Sequence, residues 1–167
     1  MRTDQIREGR LAGERSHDIE RFLASMDADR WIARADLLVD MAHLLGLRRQ
    51  GIIEDAPARA LMAALLDFYD HGLPEAAFDE RFEDVHAGKE ACLIERVGED
   101  VGGRLHIGRS RNDEVATCIR IRLKEEILGL LSSLTDLRRT LLDLAAAHTE
   151  SVMPGFTHLQ HAQPTTL

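Results

Sequence analysis

Apolar residues along this chain recur mostly at steps of three and four, the spacing of one face of an α-helix. The longest such run is Val115, Ile119, Leu123, Ile127, Leu130, Leu134, Leu137, Leu141 and Leu144, at steps of 4, 4, 4, 3, 4, 3, 4 and 3. It predicts one helix over most of residues 112–148, roughly 50–60 Å long at about 1.5 Å per residue. Gly129 lies inside it and weakens it without breaking it. A second apolar set, Ile121, Leu128, Leu131 and Leu142, falls off the seam. A helix that is apolar on more than one face needs several neighbours, so this one belongs inside a bundle.

The pattern before it predicts shorter helices. It turns helical at Asp18, and Trp31, Ala35, Leu38, Ala42 and Leu45 mark one face, with Gly51 as the stop. A second helix starts near Asp55 with Pro57 in its first turn; Leu61, Leu65 and Phe68 form its stripe, and Gly72 with Pro74 ends it. A third runs from about Asp84 to Val97. Residues 1–15 are polar, with two glycines, and read as an arm. After the long helix, Met153-Pro154-Gly155 is a stop, and Phe156 to Pro164 read as a polar loop. Thr165-Thr166-Leu167 resembles the cap of a further helix. No strand-like alternation is visible, so the expected class is all-α. Three short helices cannot cover the long one; other subunits or further sequence must complete the bundle.

Composition narrows the function classes. The 167 residues carry 21 Lys and Arg against 29 Asp and Glu, a net charge of −8. With no basic block and few aromatics, nothing argues for nucleic acid. No apolar run approaches the ~18 residues of a membrane span, and the start has no apolar signal core, so a cytoplasmic location is expected. Cys92 and Cys118 lack metal-ligand spacing and are expected to be reduced and partly buried. No metal or phosphate-binding signature is present.

Candidate chemistry concentrates just before the long helix. Gly102-Gly103-Arg104-Leu105-His106-Ile107-Gly108-Arg109-Ser110-Arg111-Asn112-Asp113 places three arginines and a histidine at a helix N-terminus. Outward N–H groups, the positive end of the helix dipole and arginine forks suit a carboxylate or phosphate. The competing reading is a capped, solvated helix start, with Ser110 or Asn112 as the cap. Asp84 with His86, and Thr157 with His158, Gln160 and His161, are the other candidates; histidine titrates near neutrality and suits proton transfer. Glu83, Asp84, Glu90 and Glu95 by themselves read as a solvated helix face.

Gly108-Arg109-Ser110-Arg111-Asn112-Asp113 followed by Val115-Ala116-Thr117 resembles a signature of the argininosuccinate lyase family, within the fumarase/aspartase superfamily. Met153 to Gln160 with Ala162-Gln163-Pro164 resembles a second signature, and Glu83-Asp84-Val85-His86 a third phrase. Phe22-Leu23-Ala24-Ser25 with Asp29 is similar to the family's N-terminal substrate serine region. The resemblance implies an N-terminal helical domain over 16–105 and the start of a central helical bundle over 106–167, incomplete here. It implies a homotetramer with active sites where three subunits meet. It implies reversible anti-elimination of argininosuccinate to arginine and fumarate, with no metal or organic cofactor. By matching positions, Ser25, Arg111, Asn112 and Thr157 bind substrate, and His158 takes part in proton transfer. Asp84, His86, Ser110 and Gln160 support the site.

The sequence departs from the family pattern in places. Glu8-Gly9-Arg10-Leu11 replaces a Trp-Gly-Gly-Arg-Phe opening; Ile107 stands for Thr, Glu114 for Gln and Cys118 for Asp. The serine-bearing mobile loop of the family has no counterpart, which implies an N-terminal piece of a lyase. Two further expectations stand beside this one. One is a lyase for another N-substituted aspartate or substituted succinate; the other is a non-catalytic structural or interaction protein keeping the fold.

Overall fold

A computed structural model describes residues 16–166; the side chains of residues 17 and 20 are excepted. The arm expected over residues 1–15 lies outside the described residues. The elements are α1 (His17–Leu23), α2 (Met26–Asp29), α3 (Ala33–Arg49), α4 (Asp55–His71), a 3₁₀ turn (Glu75–Phe78), α5 (Val85–Val97), α6 (Glu99–Gly102), α7 (Arg111–Ala147), β1 (Met153–Thr157) and β2 (Gln160–Thr165). The chain divides into two compact units, Met1–Leu123 and Lys124–Leu167, with α7 passing from one into the other.

The first unit is built on α3, α4 and α5. Leu37, Leu44 and Leu47 of α3 meet Leu61, Leu65 and Phe68 of α4, and Cys92 and Leu93 of α5 close the cluster. Leu61 and Leu65 are fully buried, each contributing about 1.5–3 kcal/mol by leaving water. The predicted bounds and stripe of α4 hold, and α5 begins one residue after Asp84, its N-cap. Gly88 lets α5 sit against the 3₁₀ turn: a Cβ there would lie 1.9 Å from the Ala77 carbonyl oxygen. A smaller cluster joins Ile32, Ala35 and Cys118, which seats the first turns of α7 beside α3. Cys92 and Cys118, expected to be partly buried, are both buried, Cys118 completely.

The face expected for α3 is corrected. Trp31 precedes the helix and, like Leu45, is more than 40% exposed; of the expected face Ala35 is buried, and Ala33, Asp36, Leu37, Asp40, Leu44 and Leu47 point inward with it. Two aspartates turn the helix by being worth burying, because a lysine meets them inside. Ahead of α3, the helical stretch expected from Asp18 is broken into α1, α2 and a turn at Arg30–Ile32.

In the second unit α7 continues unbroken through Gly129, close to the expected span. Its seam stands open: Ile127, Leu130, Leu134, Leu137, Leu141 and Leu144 are 46–69% exposed. The polar loop expected after it is instead an antiparallel hairpin, pairing Met153 with Thr165, Pro154 with Pro164, Phe156 with His161 and Thr157 with Gln160, with a bulge at Gly155. Its two-residue turn is His158-Leu159, with φ of 49° and 62°. Positive φ at both central positions is the primed-turn pattern that matches strand twist. Thr165 therefore ends a strand rather than opening a helix, and the class is all-α with this one hairpin added among the described residues.

Candidate active site

The segment 109–114 is held by a cap, an ion pair and a buried charge cluster. Ser110 Oγ accepts the Asn112 N–H at 3.2 Å, and the Ser110 carbonyl accepts the Glu114 N–H at 3.3 Å. Ser110, not Asn112, is thus the cap of α7. Arg111 Nη1 donates to Asp84 Oδ2 at 2.6 Å, and its Nη2 lies 4.0 Å from Glu90. Asp84 uses its other oxygen to accept the Ala87 N–H at 2.7 Å, capping α5. One carboxylate therefore fixes a helix start and an arginine together. Arg111 stays 28% exposed, and Asn112 is exposed.

Ser25 is tied to the same loop. Its N–H donates to the Glu83 carbonyl at 2.9 Å, and its Oγ donates to Asp29 Oδ2 at 2.7 Å. Asp29 Oδ2 also accepts the Val85 N–H at 3.3 Å. The structure thus brings Ser25, Asp84 and Arg111 into one neighbourhood from three separate stretches of sequence. His86 points the other way, into the interior, 1% exposed.

Around His86 lies a cluster that the sequence reading missed. Lys89 Nζ contacts Asp36 and Asp40 directly and lies 3.4 Å from Glu114 Oε1. His86 Nδ1 is 3.1 Å from Asp36 and 3.5 Å from Glu114. Arg109 Nη2 bridges Asp40 Oδ1 at 2.6 Å and Glu114 Oε1 at 2.9 Å. Asp36, Asp40, His86, Lys89 and Glu114 are each at most 1% exposed. The signals were present but weak: Asp36 and Asp40 four apart on α3, His86 and Lys89 three apart on α5, and Glu114 where Gln is usual.

Burial alone disfavours every charge here, so the pairing decides the protonation states. It pushes the Asp36 carboxyl up, but Lys89 and His86 outweigh it and hold the group well below the usual carboxylate range. Burial pulls Lys89 down, yet Asp36, Asp40 and Glu114 keep its ammonium above the ordinary lysine range. For His86, burial loses to hydrogen bonding with Asp36 and Glu114, and its pKa rises to about 9. Glu114 is pushed up by burial. His106 is pulled down to about 4, by burial and then by Arg109 and Lys89. Asp36, His86 and Glu114 also bring one ligand atom each within 4.8 Å of one another, the spacing of a metal site. The Lys89 ammonium already supplies the positive charge among these carboxylates, so the donor set is neutralised from within the chain.

Thr157, His158, Gln160 and His161 lie in the second unit. Thr157 and Gln160 face each other at the last pair of the hairpin, and His158 occupies its exposed turn. His161 packs on the Phe156 ring, with centroids 4.8 Å apart. Among the described residues no helix is long and apolar enough to cross a membrane.

An argininosuccinate lyase of Methanoculleus marisnigri is 86% identical over 167 residues, all of this chain and 34% of that protein. An argininosuccinate lyase of Methanosphaerula palustris is 63% identical over 164 residues, 98% of this chain and 33% of that protein. The chain therefore spans about a third of the length of the curated relatives it matches. Among solved structures, an EDDS lyase variant with bound fumarate matches with a TM-score of 0.71 and 26% identity, over 97% of this chain and 32% of that one. The family model described as lyase matches residues 9–167. The chain belongs to this lyase family.

Proposed function

We propose that the chain forms part of an argininosuccinate lyase, a cytoplasmic homotetramer that cleaves argininosuccinate to arginine and fumarate. The observation that carries this is the start of α7: an arginine fixed by Asp84, a capping serine and an exposed Asn112 at a positive helix end. In the elimination, a proton leaves the carbon beside a carboxylate and the C–N bond breaks on the opposite face. The electrons of the C–H bond form the double bond of fumarate, and the leaving nitrogen gains a proton. In between, the carboxylate takes on a second negative charge. Preorganised donors must meet that charge, ordinarily the largest catalytic contribution. In this reading Arg111 and Asn112 do so, and Ser25 and Thr157 are further substrate contacts, drawn from the several subunits that meet at a site. His158, on the exposed turn of the hairpin, serves in proton transfer, while Asp84, His86, Ser110 and Gln160 hold these groups in place.

A second reading has its own support. Ile107 and Glu114 depart from the family pattern near the anion cradle in sequence, and one solved relative is an EDDS lyase. A lyase for another N-substituted aspartate fits those facts. Fumarate release, followed by ultraviolet absorbance, separates the two. The full-length gene product is offered argininosuccinate, EDDS and simple N-substituted aspartates in parallel. The first reading expects argininosuccinate to be turned over with the highest kcat/KM; a clear preference for another substrate favours the second.

A further inference from the structure

We propose that Lys89 is a positioning residue: with Asp40 and Glu114 it clamps the 109–114 segment from within and thereby sets where Arg111 and Asn112 meet substrate. The inference rests on the reading of Arg111 and Asn112 as an anion cradle.

Three observations lead to it. Arg109 and Glu114, two residues before and three residues after Arg111, converge on one spot, since Arg109 Nη2 touches both Glu114 and Asp40. Lys89 sits in that spot and joins Glu114 of α7 to Asp36 and Asp40 of α3. Between the two anchors Asn112 and Asp113 are exposed, and Arg111 has its own ion pair with Asp84. Moving either anchor therefore moves the cradle.

Charge makes the clamp conditional on Lys89. Asp36, Asp40 and Glu114 face Lys89, Arg109 and a protonated His86, three charges of each sign. Without Lys89, three buried carboxylates share two cations, and a buried charge left without its partner is strongly unfavourable. Glu114, whose pKa burial already raises, then either takes up a proton or turns out toward water, and both responses weaken its hold on Arg109. Removing the Glu114 charge at the same time restores the balance, two against two. The pair should thus behave as a unit, with strong non-additivity in a double-mutant cycle.

Two experiments test it. In the active full-length lyase, Lys89→Met should raise KM for argininosuccinate about tenfold or more and lower kcat as well, because Arg111 and Asn112 meet both the substrate and the charge that develops on it. Lys89→Met/Glu114→Gln should return KM to within about threefold of the parent. A merely structural lysine would lower the amount of folded enzyme and leave KM alone; unchanged KM in Lys89→Met therefore overturns the proposal. If Lys89→Met does not fold, Lys89→Gln takes its place. It removes the same charge while keeping a polar side chain and should raise KM several-fold, and an unchanged KM there overturns the proposal equally. The second experiment needs no activity. In crystal structures of the full-length lyase, Lys89→Met should shift the Arg111 guanidinium and the Asn112 backbone, and the double variant should restore them. Absence of shift overturns the proposal. Shift and restoration without argininosuccinate turnover would uphold the clamp while rejecting the functional reading on which the cradle rests.

Discussion

Asp84 shows how a single residue can link fold to site: one oxygen caps α5 and the other holds Arg111. Arg111 and Ser110 are neighbours with different work, and mutation separates them. In the full-length enzyme, Arg111→Ala should lose roughly 2–5 kcal/mol of transition-state binding, the range for a charge partner removed from a desolvated contact. Ser110→Ala should lose about 1 kcal/mol, the worth of a helix cap. Equal losses in kcat/KM would refute that division. The two inward histidines make a second prediction, on pH. His86 has a folded pKa of about 9 against an ordinary 6.5, so its stabilisation is complete below pH 6.5 and is lost as pH rises toward 9. His106 is held near 4, so its share is present above pH 6.5 and lost as pH falls toward 4. Thermal melts of the chain should peak near pH 6.5, and His86→Asn should flatten the alkaline side. A melting temperature that climbs across the 6.5-to-9 window contradicts the assignment.

At the scale of elements, two glycines in helices differ in what surrounds them. Gly88 of α5 faces a backbone carbonyl that cannot give way, so Gly88→Ala should cost roughly 1–3 kcal/mol or more. Gly129 of α7 has nothing within 4 Å of its missing Cβ. Gly129→Ala should add about 0.5–1 kcal/mol to the stability of the chain by itself. Denaturation curves that rank the two alike would count against this packing. The same contrast explains which elements were legible. The leucine stripes of α4 and α7 are uninterrupted, so spacing alone placed both helices. Spacing failed for α3, because Asp36 and Asp40 occupy inward positions that any polar count assigns to water; only their partner Lys89, 53 and 49 residues on, makes them core. It failed also for the hairpin, where prolines stand in both strands and His158-Leu159 replaces the usual glycine-bearing turn. In the site, the Arg111 cradle was readable because its residues are consecutive. The buried cluster was not, because it is assembled from α3, α5, α7 and the loop before α7.

At the scale of the molecule, the dominant feature is the open leucine seam of α7. An exposed apolar stripe of this length is an interface or a liability. The chain should self-associate at micromolar concentration, and Leu134→Lys with Leu141→Lys should reduce this, as followed by light scattering. A monodisperse monomer of the parent chain contradicts it. The seam accords with a helix meant for a bundle, and with a chain that spans about a third of its relatives. By itself the 167-residue chain should release no fumarate from argininosuccinate, since it spans about a third of the length of the lyases it matches. The account turns on His158 as the proton-transfer group of a site whose anion cradle is Arg111 and Asn112. The most direct test is fumarate release by the full-length enzyme carrying His158→Asn or His161→Asn. The account predicts a loss of about 10²–10⁴-fold for His158→Asn, the worth of a positioned acid or base. His161, packed on Phe156, should tolerate the change with turnover near that of the parent. Equal losses from the two substitutions, or full activity in His158→Asn, would contradict it.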